Sequence, residues 1–218
     1  MSKLEDYFES NNGRLIHKWM HYFDIYERHF ERFVGQDVNI LEIGVSHGGS
    51  LQMWKDYFGE KANIVGIDID PRCKSFEEEQ VNILIGDQGD REFWKANKSS
   101  LPTFDIIIDD GGHHMHQLKI SYEEMFPALS PNGVYLLEDL HTSYEWEYGG
   151  GYNEPNSFIE YSKKLIDNLN AWYSRDPQLE VNPFTTSTWS MSYYDSVLVI
   201  EKRPKTQPHH RMTGTPSW

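Results

Sequence analysis

Short apolar runs alternate along the chain with longer stretches in which apolar residues recur every three or four positions. The longer stretches are typical of amphipathic helices, and the short runs are typical of buried strands. This alternation is the pattern of βαβ units, so we expect an α/β fold with a mostly parallel sheet. The five predicted strands cover residues 38–43, 63–68, 81–85, 104–109 and 133–137.

The two ends of the chain depart from this pattern. Two strand-like runs, 184–191 and 195–201, are separated by only three residues, too few for a crossover helix, so they should pair antiparallel. Aromatic residues from Trp19 to Phe33 recur at helical spacing and predict an amphipathic helix. Helical spacing also marks residues 157–172. We therefore divide the chain into a helical extension (1–34), a main domain (35–203) and an irregular tail (204–218).

Composition narrows the class of protein. A chain of 218 residues is long enough for one sizeable domain. Its formal charge of -14 would repel a phosphate backbone, which argues against nucleic acid as a partner. No apolar run could span a bilayer, and neither a secretory signal nor a transit peptide is evident. With a single cysteine, Cys73, we expect a cytoplasmic protein without an internal disulfide.

The first predicted strand runs into a turn rich in glycine, L-E-I-G-V-S-H-G-G-S, over residues 41–50. Such a turn between a strand and a helix lets a ligand approach the backbone closely. A serine holds the place of the second glycine of the G-x-G-x-x-G motif, which disfavours a dinucleotide. Candidate cofactor-binding residues in this turn are Glu42, Gly44, Ser46, Gly48 and Ser50.

Acidic residues end the next strands. Asp68 follows the glycine turn by about 20 residues, the spacing of an acid that binds a ribose diol. Asp70 is an alternative, although its place before Pro71 suits the start of a helix better. Asp87 lies just after the third strand at the same sheet edge, where an adenine ring would lie, and Asp109 ends the fourth. Any single acid here could instead cap a helix.

Together these features resemble class I S-adenosylmethionine-dependent methyltransferases. The resemblance rests on E-x-G-x-x-x-G from Glu42 to Gly48, the acid after the second strand and G-D after the third. It implies a Rossmann-like fold with a seven-stranded, mostly parallel sheet and an antiparallel C-terminal hairpin. It also implies S-adenosylmethionine as the cofactor.

A second group of candidate residues follows strands four and five. Ligands of open α/β sheets bind outside the carboxyl ends of the strands, so both groups should face one pocket. Asp110, Glu138 and Asp139 offer carboxylate oxygens, the ligands that Mg2+ prefers, and a cation would relieve their mutual repulsion. Helix capping and ion pairs with lysines are the ordinary alternative. A second alternative is a zinc or iron site, in which a carboxylate and nearby histidines bind the metal. The candidate histidines are His113, His114, His116 and His141.

Two motifs narrow the resemblance. D-G-x-H at Asp110–His113 and E-D-x-x-T-x-Y at Glu138–Tyr144 are similar to the metal-dependent sugar O-methyltransferases of macrolide biosynthesis, of the mycinamicin and macrocin type. The resemblance implies that Asp110, Glu138 and Asp139 hold Mg2+ and that His113 is the general base. It covers residues 38–202, and the same broad group includes cephalosporin hydroxylase-like proteins.

These interpretations lead to a functional hypothesis. A cation that holds a hydroxyl lowers its pKa and brings it within reach of a neutral imidazole. We expect a small-molecule acceptor with vicinal hydroxyls, a sugar or glycoside first and a catechol second, methylated with the help of Asp110, His113 and Glu138. Alternatives are a metal-dependent hydroxylase and a non-catalytic cofactor-binding subunit, and a homo-oligomer is possible. The N-terminal residues His17, Lys18, His21 and Tyr22 either cover the site or pack within the core.

Overall fold

The computed structural model describes residues 3–218 and has one seven-stranded sheet. The strand order is β3-β2-β1-β4-β5-β7-β6; β1 to β5 run parallel, and β7 pairs antiparallel with both β5 and β6. This confirms the predicted fold class. The strands are β1 Val38–Ile43, β2 Ala62–Asp68, β3 Val81–Ile85, β4 Phe104–Asp109, β5 Leu129–Leu137, β6 Thr188–Tyr194 and β7 Val197–Lys202.

Helices connect the parallel strands and cover both faces of the sheet. The α-helices are α1 Lys3–Ser10, α2 Tyr22–Phe30, α3 Gly49–Phe58, α4 Arg91–Asn97, α5 Met115–Met125, α6 Phe158–Leu169 and α7 Pro183–Ser187. No helix within residues 3–218 is long and apolar enough to cross a membrane. Residues 1 and 2 of the predicted N-terminal extension lie outside the described part of the chain.

The C-terminal hairpin begins later than predicted. Residues 184–187 are helical, because Pro183 occupies the first turn of α7 and the side chain of Asn182 accepts a hydrogen bond from the backbone N–H of Thr185. The strand therefore starts at Thr188, and the turn lies at 195–196, where Ser196 has a φ of 63°. The predicted strand at 184–187 was wrong because this cap outweighed the apolar pattern.

The start of β5 was also misplaced. The strand begins at Leu129 and not at residue 133, because its first paired residue lies opposite Phe104 before a shift in register. The residues between are the polar Ser130 and Asn132 and the exposed Pro131, so they break the apolar run in the sequence.

The sheet separates two apolar layers. Along β1, Ile40 faces one layer, whereas Leu41 and Ile43 face the other, as expected for a strand buried on both faces. The N-terminal helices belong to the first layer, in which Phe23 and Phe30 of α2 are almost fully buried. The position of α2 relative to the sheet edge is therefore set by core packing.

Replacing Phe30 by alanine tests this packing. The side chain is fully buried against Trp54 and Phe58, so Phe30→Ala should lower the free energy of unfolding by about 3–5 kcal/mol in urea titrations. Leu15→Ala, at an exposed position in the same segment, is the control and should cost less than about 1 kcal/mol. Equal losses for the two variants would show that α2 is not part of the core.

Candidate active site

A cleft lies at the carboxyl ends of the parallel strands. It opens where β1 stands between β2 and β4, the point at which the strand order reverses and ligands bind in open α/β sheets. We call it the strand-end cleft. Its lining includes Gly44, Ser46, Asp68, Asp87, Asp110 and Gln117.

The glycine turn forms one wall of this cleft. Gly44 has a φ of 96°, and a Cβ added there would lie 1.9 Å from the carbonyl oxygen of Asp110. A side chain would thus force the loops after β1 and β4 apart. The carboxylate of Asp68 holds the turn from the other side, since it accepts hydrogen bonds from the backbone N–H groups of Val45 (2.8 Å) and Ser46 (2.9 Å). Further along, Gly48 caps α3 with a φ of 72° and lies against the ring of Phe76.

Three of the predicted cofactor-binding residues lie beneath the cleft. Glu42 is fully buried and accepts hydrogen bonds from the hydroxyl of Ser50 (2.9 Å) and the indole of Trp54 (3.1 Å). Asp109 is also fully buried and accepts a hydrogen bond from the side-chain amide of Gln88 (2.9 Å). The side chains of Glu42, Ser50 and Asp109 therefore support the walls, whereas Gly44, Ser46, Asp68 and Asp87 line the cleft.

Two glutamines complete the walls and were not predicted. Gln88 connects the loops after β3 and β4, because its side-chain oxygen accepts a hydrogen bond from the backbone N–H of Gly112 (2.9 Å). Gln117 donates a hydrogen bond to Asp87 (3.1 Å), while its own Oε1 is buried without a hydrogen-bond partner. Gln88 belongs to the G-D-Q-G run that follows β3, but Gln117 lies on α5 and had no signal in the sequence.

Next to the cleft lies the acidic site, which we define as Asp110, His113, Glu138 and Asp139. Nε2 of His113 is 3.7 Å from Oδ1 of Asp110 and 3.5 Å from Oδ2 of Asp139. Within residues 3–218, Asp110, His113 and Asp139 form a group that could bind a metal ion. Each offers one ligand atom, and these atoms all lie within 4.8 Å of one another. His113 and Asp139 both have a φ of 54°, a strained backbone conformation that is common at functional sites.

Glu138 is not part of this three-residue group and lies buried beside Asp110. Its carboxylate is buried and accepts hydrogen bonds from the ammonium of Lys18, at 3.0 Å on Oε1 and 2.8 Å on Oε2, and from the hydroxyl of Tyr26 at 2.7 Å. The same ammonium lies 2.5 Å from Oδ2 of Asp110. The structure therefore supplies a positive charge inside the acidic site.

The N-terminal segment provides a further contact, because Tyr22 donates a hydrogen bond to Oδ1 of Asp139 at 2.6 Å. The sequence predicts that Lys18 and Tyr22 either cover the site or pack in the core. In the structure they bind the acids directly. Tyr26, expected only as part of an apolar stripe, does the same.

Burial and charge shift the protonation equilibria in this site. Burial alone would lower the pKa of Lys18, but the charges of Asp110 and Glu138 outweigh it and raise that pKa. The pKa of Glu138 is raised by burial and by Asp110, whereas Lys18 acts in the opposite direction. The acidic site thus favours a cation.

The other histidines do not join this group. His114 and His116 lie with ring centroids 5.9 Å apart, and His114 also contacts the ring of Tyr148. His141 is 4.0 Å from Asp139 but is hydrogen-bonded to Ser196 at 2.6 Å. Within the described part of the chain, the group that could hold a metal ion therefore has two carboxylates and one histidine, and the histidine-rich alternative does not form.

The sheet order, the glycine turn and the acids at the strand ends define a domain of the class I methyltransferase type. More particularly, residues 41–140 match the family model Methyltransf_24, described as a methyltransferase domain. The expected resemblance to this class is confirmed.

The similarity to known proteins extends beyond residues 41–140. The chain is 32% identical over 191 residues to 8-demethyl-8-alpha-L-rhamnosyl tetracenomycin-C 2'-O-methyltransferase of Streptomyces olivaceus, covering 84% of this chain and 50% of that protein. It is 32% identical over 213 residues to mycinamicin VI 2''-O-methyltransferase of Micromonospora griseorubida, covering 92% of this chain and 51% of that protein. The chain thus spans about half the length of these curated relatives.

A solved structure has the same fold. It is the MycE methyltransferase of the mycinamycin pathway in complex with Mg, SAH and mycinamycin VI, with a TM-score of 0.80 and 28% identity, covering 100% of this chain and 55% of that chain. The resemblance to macrolide sugar O-methyltransferases is therefore confirmed by sequence and by structure.

Gly44→Ala tests the close contact between the two loops. The added methyl would collide with the backbone of Asp110, so we expect a loss of at least about 2 kcal/mol in the free energy of unfolding. Gly35→Ala is a matched control, because Gly35 also has a positive φ (72°) but no atom within 4 Å of an added Cβ. That control should cost about 1 kcal/mol. Similar losses for the two variants would mean that backbone strain alone, without the collision, accounts for the stability lost in Gly44→Ala.

Glu42→Gln tests the buried carboxyl below the cleft. Burial raises the pKa of Glu42 to about 7, so the folded protein binds a proton that the unfolded chain releases near its ordinary pKa of 4.5. The wild type therefore loses stability as the pH rises from about 4.5 through 7, whereas glutamine does not titrate. Between pH 5 and pH 8, urea titrations should show the variant gaining about 2–3 kcal/mol relative to wild type. A difference that does not change with pH would contradict this assignment.

Proposed function

We propose that this chain carries the catalytic domain of an S-adenosylmethionine-dependent, Mg2+-assisted O-methyltransferase that acts on a hydroxyl of a sugar or glycosylated natural product. One observation carries the proposal: Asp110 belongs both to the lining of the strand-end cleft and to the group with His113 and Asp139. A methyl donor in the cleft and an acceptor at the acidic site would therefore be neighbours.

The strand-end cleft fits the proposed cofactor. Asp68 ends β2, where a carboxylate can bind the ribose hydroxyls, and Asp87 lies just after the neighbouring β3, beside the place for an adenine ring. Ile69 exposes an apolar side chain to the cleft, which suits the face of a purine. Gln117 lines the cleft beside Asp87 and donates a hydrogen bond to it, which holds the Asp87 carboxylate in place.

The acidic site fits a divalent cation. Mg2+ takes oxygen ligands, keeps several positions for water or substrate, and is often held by only one or two carboxylates. Asp110 and Asp139 direct such oxygens toward a common point beside Nε2 of His113. We assign both as ligands and Glu138 as a third, and the relative MycE was solved with Mg.

The reaction needs an acceptor oxygen held about 3–3.5 Å from the methyl group and a base for its proton. When bound, S-adenosylmethionine supplies the methyl group and the cation acts as a Lewis acid. His113 then accepts the hydroxyl proton at Nε2, the nitrogen that faces Asp110 and Asp139.

The acceptor is assigned from the relatives and from the surroundings of the site. One curated relative is named as the 2'-O-methyltransferase of a rhamnosyl tetracenomycin and the other as the 2''-O-methyltransferase of mycinamicin VI, and MycE was solved with mycinamycin VI. Trp19 is about half exposed, and its ring lies 6.1 Å from that of His141 at the edge of the acidic site. Such an indole can pack against the face of a sugar ring.

Methyl transfer is favoured over hydroxylation because of the number of histidines. Non-haem iron oxygenases bind their metal through two histidines and one carboxylate. Within residues 3–218 the group that could hold an ion has the opposite ratio, one histidine and two carboxylates.

The proposal is tested by measuring SAH formed from S-adenosylmethionine with a panel of rhamnosides and other glycosides, with catechol as the competing acceptor. We expect turnover with a glycoside that requires Mg2+ and disappears with a chelator. Methylation of amines or carboxylates without any hydroxyl would contradict the proposal, and preference for catechol would overturn the sugar assignment.

Variants of the acidic site separate metal binding from proton transfer. Asp139→Asn should weaken Mg2+ binding at least about tenfold in calorimetry, because it removes a charged ligand. His113→Ala should lower kcat about 10²–10⁴-fold, because it removes the base, with little change in Mg2+ affinity. His116→Ala, outside the group, is the control and should retain activity. Normal turnover of His113→Ala would rule out His113 as the base.

A further inference from the structure

Lys18 is a buried cation in the middle of the acidic site. Only 3% of its side chain is exposed, and its ammonium reaches Asp110 and both oxygens of Glu138 within 3.0 Å. A lysine has three N–H donors, so these two carboxylates satisfy the whole group. Lys18 lies on the irregular segment between α1 and α2, 92 residues before Asp110 and 120 before Glu138.

The carboxylates that bind Lys18 are two of the three that we assign to the metal ion. Oε1 of Glu138 already accepts hydrogen bonds from Lys18 and Tyr26, and Oε2 accepts one from Lys18. A divalent ion bound to Glu138 would have to take over the place of the ammonium. If the ammonium stayed, two positive charges would lie a few ångströms apart, with an unfavourable Coulomb energy even at protein-like dielectric constants.

We propose that Lys18 and the divalent ion compete for Asp110 and Glu138, so that Lys18 sets the ion affinity and leaves its buried position when the ion binds. This inference rests on the proposed function, because it takes the acidic site to be a metal site. Lys18 is in this scheme a positioning residue that keeps the carboxylates together and neutralised until the ion replaces it.

The neighbouring contacts allow Lys18 to move alone. After Lys18 in the chain, Tyr22 and Tyr26 are held by the packing of α2 in the core. Before it, Arg14 forms an ion pair with Glu78. The segment is thus fixed at both ends, and a swing of one long side chain is enough to vacate the site. Trp19, the next residue along the chain, lies beside His141, so the swing occurs next to the place we assign to the acceptor.

The first test is calorimetry of Mg2+ binding to the full chain. Lys18→Met keeps the length of the side chain but removes the charge, and should bind Mg2+ at least about tenfold more tightly than wild type. Lys98→Met is the matched control, because Lys98 is ion-paired with Glu124 outside both the cleft and the acidic site, and should leave the affinity unchanged. An affinity of Lys18→Met equal to or weaker than that of wild type would overturn the competition.

The second test uses the wild-type protein and does not depend on the folding of a variant. Acetylation of lysines by an activated ester, followed residue by residue with mass spectrometry, should modify Lys18 slowly without Mg2+ and at least about tenfold faster with it, because the freed ammonium reaches solvent. Labelling of Lys98 should not respond. If Mg2+ binds and Lys18 stays protected, the competition is contradicted.

The outcomes separate this inference from the proposed function. If wild type binds Mg2+ in a manner that requires Asp139, but Lys18→Met binds no more tightly, only the competition fails. If neither wild type nor Lys18→Met binds Mg2+, the proposed metal site and the competition fail together.

Discussion

The repulsion between carboxylates on two neighbouring strands is the constraint around which this site is built. Asp110 follows β4 and Glu138 follows β5, and the backbone N–H of Glu138 donates to the carbonyl of Asp109 at 2.9 Å. The sheet therefore prevents the two acids from separating. A positive charge between them relieves this repulsion, and the structure provides one from the N-terminal segment. The proposed metal site and the role of Lys18 both follow from that repulsion.

The N-terminal helices link this electrostatic arrangement to the core. Helix α2 buries Phe23 and Phe30 in the apolar layer on one face of the sheet, and from there Tyr22 and Tyr26 reach Asp139 and Glu138. The same packing that stabilises the fold thus brings hydroxyl groups to the acids. In this way a segment outside the matched residues 41–140 forms part of the candidate site.

Much of the fold was predictable because parallel strands carry a local signal. The bounds of β1, β3 and β4 agree with the apolar runs, and the motifs at their ends indicated where a cleft would form. The start of β6 was not predictable from the apolar pattern, since the cap at Asn182 competes with it. Glu42 and Asp109 belong to motifs that indicate a site, but a motif does not show whether a carboxylate faces the ligand or the core.

The contact of Lys18 with Asp110 and Glu138 was beyond the reach of sequence patterns. A pairing across about 100 residues depends on how α2 packs, and Lys18 carries no motif of its own. The carboxylates could be predicted as a group from their strand ends, whereas the cation that neutralises them could not. The sequence nevertheless predicted a cluster of Asp110, His113, Glu138 and Asp139. The structure brings Asp110, His113 and Asp139 into one group, and Lys18 joins Glu138 to Asp110.

The most direct measurement of the central claim is anomalous diffraction from crystals grown with SAH and Mn2+, an ion that takes the oxygen ligands of Mg2+. The account predicts one strong manganese peak about 2.0–2.3 Å from carboxylate oxygens of Asp110 and Asp139, with SAH in the strand-end cleft and Lys18 displaced. Manganese bound elsewhere, or SAH bound while Lys18 still holds Asp110 and Glu138 in the presence of saturating Mn2+, would contradict it.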